Sequence, residues 1–195
     1  MVAPESCEPL QTLASVRLSQ SKLEDAQAAL ARSLELWIEL PPEDLSAIPD
    51  FPTRISLSRL LMEADMEEQA LEVLERLIAE DDHSVEAWYL GGWCLHLLAG
   101  KQDENNTAAK EEDEGKDQKT ITLKSSRDWL LRCLKLYSKL EYEDERLKTH
   151  AEELLEEMNQ VLGPAPAEGE ADDDDEEWEG IEEDEEDGDA QMAGT

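Results

Sequence analysis

From Leu10 to Leu162 the apolar residues recur three and four positions apart, and nowhere do they alternate as a half-buried strand requires. That spacing confines the chain to an all-α fold. Helices are expected over 9–20 (Leu10, Leu13, Ala14, Val16), 22–39 (Leu23, Ala26, Leu30, Leu34, Trp37) and 53–64 (Ile55, Leu57, Leu60, Leu61). Four more follow over 67–80, 85–99, 123–140 and 143–162, the last carrying Leu147, Ala151, Leu154, Leu155 and Met158. Ser21, with Glu24 three residues on, reads as a capping box for the second helix, and Ser84 as the cap of the fifth. Gly100 is expected to end the fifth helix, and Gly163-Pro164 the seventh. Pro41, Pro42, Pro49 and Pro52 mark a loop between the second and third helices.

Charge divides the chain. Against 17 Lys and Arg stand 51 Asp and Glu, a net charge of −34. Between Glu168 and Asp189 there are 16 acids and no base. Such a run cannot bury enough apolar surface to offset the entropy of ordering it. The expected organisation is a disordered N-terminus (1–8), a helical domain (9–162) and a disordered acidic tail (163–195). Residues 101–120, polar and mostly acidic, read as a mobile insertion in the helical domain. This charge repels nucleic acid and anionic membranes and attracts basic proteins. Met1 to Glu5 lack the basic and apolar regions of a signal peptide, and no run approaches a membrane span. Cys7, Cys94 and Cys133 are odd in number and widely spaced, which points to a reducing compartment and three small apolar side chains. His83, His96 and His150 are scattered, and no metal, cofactor or catalytic motif is present. A non-enzymatic binding protein, acting as a monomer, is expected.

Helix pairs repeating at about 34 residues resemble the tetratricopeptide (TPR) architecture. In that pattern a small residue at position 8 of the first helix packs against alanine at position 20 in the second. Ala14 and Ala26 fill these places in one unit, and Ser58 and Ala70 in the next. The separation of Ala26 and Ala70 is 44, and the proline-rich connector accounts for the excess. Counting on 34 residues puts Trp88 and Gly92 at positions 4 and 8 of a third unit, whose second helix carries Leu130, Leu134 and Tyr137. The seventh helix then caps the stack, whose concave face is lined by first helices.

Ligand-facing positions of that groove select Gln11, Ser15 and Leu18, then Ile55, Arg59 and Met62, then Glu86, Tyr89, Trp93 and His96. Tyr89 and Trp93 share one face of a helix whose other face already carries Trp88 and Leu95. Either Trp93 is covered by the seventh helix or the insertion, or the pair anchors an extended peptide, aromatics being favoured at binding hot spots. The two aromatic faces could also hold a lysine or arginine of the ligand. Trp178 and Ile181 are the large apolar residues of the acidic run and are candidate docking anchors or incidental residues. A clamp for acidic chaperone tails needs cations in the groove, and only Arg59 fits.

The segment Ser84-Val85-Glu86-Ala87-Trp88-Tyr89-Leu90-Gly91-Gly92-Trp93, the charged insertion splitting its repeat, and the acidic tail with Trp178 together resemble the fungal assembly chaperones of large-subunit ribosomal protein four. The likeness is best over about 53–189. It implies a TPR superhelix and a nuclear and cytoplasmic carrier that shields a newly made, very basic ribosomal protein and delivers it to pre-ribosomes. Members of that family usually carry further N-terminal repeats, so this chain is expected to be shorter than they are. Histone chaperones and general scaffolds are the alternatives to that reading.

Overall fold

Seven helices form among the described residues of a computed structural model, which cover 7–41, 47–108 and 112–164, with side chains described outside 102–116. They are α1 (Cys7–Ser19), α2 (Leu23–Glu35), α3 (Phe51–Glu63), α4 (Glu67–Glu80), α5 (Val85–Ala108), α6 (Glu112–Lys139) and α7 (Glu145–Leu162). The expected helices and the all-α class are borne out, and no strand occurs among the described residues. The expected tail, the first residues and Trp178 lie outside them.

The helices pack as antiparallel pairs, α1 on α2, α3 on α4 and α5 on α6, with α7 against α6. A second set of contacts runs α1 to α3, α3 to α5 and α5 to α7, so one layer holds the odd-numbered helices. The small residues of the 34-residue register sit where the pairs meet: Ala14, Ala26, Ser58 and Ala70 are fully buried. In the third pair Gly92 takes the first place, and Ser126 takes the one a strict repeat would give to Glu104. The Ser126 hydroxyl donates to the Gly92 carbonyl across 2.7 Å. The extra residues lengthen α5 and α6 at their shared end.

The turns that close α1, α3 and α6 share one device. Ser21, Asp65 and Glu141 adopt φ of 57°, 60° and 50°. The amide of the following residue then donates back to Arg17, Leu61 and Tyr137, which supplies partners to carbonyls that a helix end otherwise strands. This corrects the reading of Ser21 as a cap. Its left-handed backbone closes α1, and α2 starts after Lys22 with no side-chain cap. Asp50 caps α3 by accepting from the Thr53 amide, and Ser84 Oγ accepts from the Ala87 amide at the start of α5. Gly163, at φ 82°, follows α7 as expected.

Three helix ends lie well away from expectation. The α2 helix stops at Glu35, and residues 36–40 continue as turns. Apolar spacing reported burial there, since Trp37 is fully buried in the core, but the coming Pro41-Pro42 disfavours helical backbone. Arg76 holds these turns down by donating to the carbonyls of Ile38 and Leu40. At the other end, α5 does not stop at Gly100 but runs to Ala108, and α6 already begins at Glu112. The backbone of 101–108 and 112–120 is therefore helical. Lys101 fixes the first turn beyond Gly100, its Nζ lying 2.7 Å from Glu67 Oε2 and 3.1 Å from Asp65 Oδ1.

Glu67 is 4% exposed and Lys101 41%, so the ion pair is half sheltered. Burial draws the lysine pKa down, yet its bonds to Glu67 and Asp65 leave it raised. A raised folded pKa means that the contribution is complete at neutral pH and is lost only as pH rises past the ordinary lysine range. Lys101→Met keeps the stem and removes the charge, leaving a sheltered carboxylate unpaired. The expected loss at pH 7 is about 1–3 kcal/mol, read from urea melts. A variant as stable as the parent would mean that water already serves Glu67.

Candidate functional site

A cleft of about 520 Å³ opens between α3, α5 and the start of α7. It exists because α5 places two aromatics one turn apart on the face turned away from the pair contact with α6. Trp88, on the other side, packs edge-on against Trp129 with ring centroids 4.8 Å apart and donates from its indole to the Asp82 carbonyl. Tyr89 and Trp93 are half-buried, with centroids 6.0 Å apart. Both rest on His150 of α7. The Tyr89 hydroxyl lies 2.8 Å from His150 Nδ1, and the Trp93 ring lies 5.0 Å from the imidazole. Burial pushes the Tyr89 pKa up to about 12, so the hydroxyl stays protonated while it shares a hydrogen bond with the imidazole nitrogen, whose tautomer sets the direction.

The remaining walls are mainly apolar. Met62 from α3 and Leu90 and Leu97 from α5 line the cleft, with Leu147 opposite. Leu147 is set by the cap of α7, where Asp144 Oδ1 accepts from the amides of Arg146 and Leu147. Arg59, Glu63 and Arg146 are exposed lining residues. Arg59 pairs with Glu86 of α5.

Of the residues selected from sequence, Arg59, Met62, Tyr89 and Trp93 line one cleft, and Glu86 touches it through Arg59. His96 does not join them. It turns toward α7, with Nε2 3.6 Å from Glu157, and burial lowers its pKa. Ile55 is 4% exposed and belongs to the core, because α3 lies between α1 and α5 and its groove-facing side is covered there. Gln11 and Ser15 line a separate, shallower depression with Pro52 and Ser56. Leu18 packs half-buried against the main core. Trp93 is partly covered by α7, yet it still lines the open cleft. Sequence reasoning missed Asp144, Arg146, Leu147 and His150. Apolar spacing placed the seventh helix over 143–162, but nothing local tied position 150 to position 89.

Cys94 and Cys133 are fully buried, Cys7 is half-buried, and none is bonded to another. Burial raises the Cys94 and Cys133 thiols to about 12, so both stay protonated. Asp81, Asp82 and His83 form an exposed cluster of potential metal ligands at the turn before α5. Among the described residues no helix is long and apolar enough to cross a membrane.

Among the described residues an all-helical fold carries an aromatic cleft, a surface of the kind helical binding proteins use, and comparison with known proteins narrows the class. No family model matches the chain. It is 56% identical over 190 residues to the "Probable assembly chaperone of rpl4" of Emericella nidulans, a match covering 94% of this chain and 49% of that protein. It is 35% identical over 181 residues to the protein of the same name from Schizosaccharomyces pombe, covering 93% and 51%. Among solved structures, "Assembly Chaperone of RpL4 (Acl4) (Residues 1-338)" matches with a TM-score of 0.53 at 59% identity, over 54% of this chain and 37% of that one. The chain is a homologue of these assembly chaperones, as the segment around Trp88 and Trp93 implied, and it spans about half the length of the curated relatives it matches.

Proposed function

We propose that this chain acts as an assembly chaperone of rpl4, holding the newly made ribosomal protein through acidic attraction and an aromatic cleft. The observation that carries the reading is the 56% identity over 94% of the chain to a protein named for that role. The physical chemistry agrees with it. A net charge of −34 favours fast encounter with a basic partner at low salt. Tyr89 and Trp93 add a water-poor surface that charge alone does not supply. We read the helix pairs as TPR-like units of a superhelix. The buried small residues Ala14, Ala26, Ser58 and Ala70, and the Ser126 to Gly92 hydrogen bond in the third pair, support that reading. The acidic run from Glu168 to Asp189 serves in the same reading as an electrostatic lure. The protein would then shuttle its cargo from cytoplasm to nucleus and release it where rRNA phosphates outcompete its carboxylates.

Co-purification of the tagged chain from growing cells at about 100 and 400 mM salt tests this. Near-stoichiometric rpl4, without the other ribosomal proteins, is expected at the lower salt, with recovery falling roughly tenfold at the higher as the charges are screened. Recovery of histones in place of rpl4, or of a partner indifferent to salt, would sink the proposal.

A further inference from the structure

The sequence leaves open whether the aromatic cleft takes a cation or an apolar group, and the charges on its lining decide between them. Two guanidinium groups, Arg59 and Arg146, stand among the exposed lining residues. Of the lining carboxylates, Asp144 is engaged in capping α7. Glu63 is the one without a partner among the described residues. Inside, the walls are Met62, Leu90, Trp93, Leu97 and Leu147.

We propose that the cleft seats a large apolar side chain of the bound protein rather than one of its lysines or arginines. The inference rests on the reading that the bound protein is rpl4. A lysine or arginine head entering the cleft would leave water for an apolar space whose nearby carboxylates are already engaged, Glu86 by Arg59 and Asp144 by the cap of α7, while Arg146 balances the remaining Glu63. A leucine, methionine or phenylalanine does not meet that cost. At about 520 Å³ the cleft holds one such side chain with part of the adjoining backbone. The α7 helix, expected only to cap the stack, is then part of the binding site. It supplies Leu147 as one wall, and its His150 fixes the tilt of Tyr89 and Trp93 on the other. The acids spread over the chain attract the basic partner from a distance, and the cleft sets the register in which it binds.

Fluorescence anisotropy with the full chain and overlapping rpl4 peptides tests the inference. In the tightest peptide, one apolar residue changed to alanine should cost about 30-fold in affinity, and its change to lysine should cost more. Single lysine or arginine changes in the same peptide should each cost about threefold or less. Trp93→Ala should weaken binding about tenfold at both low and high salt. Arg146→Glu, an exposed change that leaves the fold intact, should bring the lysine-substituted peptide closer in affinity to the parent. A peptide whose affinity follows its lysines and arginines, with Trp93→Ala folded and binding as the parent does, would overturn the inference and leave the partner unchanged. Failure of intact rpl4 and of every peptide to bind the unsubstituted chain would overturn the partner reading and this one with it.

Discussion

Replacing Trp37 by alanine should lower the unfolding free energy of the helical unit by about 3–5 kcal/mol. Trp37 lies in the turns after α2, outside any helix, and is 0% exposed. Its removal opens a large cavity in the main core. It also takes away the ring over which the Arg76 guanidinium lies, 5.5 Å from the centroid. Arg76 is the residue that pins Ile38 and Leu40, so the connector should loosen together with the core. One term opposes the loss. The Trp37 indole N–H is buried without an acceptor among the described residues, a penalty of about 1–3 kcal/mol that the substitution relieves. Trp37→Phe separates the two, because it removes the stranded donor and keeps most of the volume. Its cost should be about 1.5 kcal/mol or less. Urea denaturation followed by far-ultraviolet circular dichroism measures both. A Trp37→Ala loss below about 1 kcal/mol would mean that the connector is not sealed onto the core.

The same residue marks how far the sequence could be read. Apolar spacing located all seven helices because each buries one stripe, and the small residues at the pair contacts could be placed by register because a larger side chain would hold the helices apart. Spacing reports burial, however, and Trp37 is buried in a turn, so the second helix was drawn too long. Ser21 followed by Glu24 fits a capping box, but the same serine is better used closing α1, and the choice depends on backbone geometry that composition does not carry. Gly100 was read as an end because glycine often terminates helices. Here Lys101 finds Asp65 and Glu67 on the neighbouring pair, and that tertiary contact continues the helix. The site divides the same way. Tyr89 and Trp93 were legible from one helix, whereas the wall from α7 depends on contacts some sixty residues apart, such as the one between Tyr89 and His150.

Gly91 and Gly92 lead to the second large effect, which runs against helix propensity. Glycine inside a helix costs about 1 kcal/mol relative to alanine, so on local grounds both positions should gain from Gly→Ala. Packing predicts the reverse. A Cβ at Gly92 would lie 2.6 Å from Leu130 Cγ and 3.2 Å from the Ser126 carbonyl oxygen. A Cβ at Gly91 would lie 2.0 Å from Cζ3 of Trp129, whose ring is held by Trp88. Neither neighbour can swing aside without moving α6, so the substitutions overpack the contact. Gly91→Ala and Gly92→Ala together should cost about 2–4 kcal/mol, less than additively, since each pushes α6 in the same direction. At Gly100 nothing lies within 4 Å of a Cβ, and Gly100→Ala should stabilise by up to about 1 kcal/mol. The contrast makes the test internal, since one chemical change at three glycines of one helix should move melting temperature in opposite directions. Gains at all three would place the α5–α6 contact farther apart than the Ser126 to Gly92 hydrogen bond requires. The loss should reach the site as well. Because α7 packs on both α5 and α6, a retreating α6 carries Leu147 and His150 away from Tyr89 and Trp93, and affinity for the partner should fall with stability.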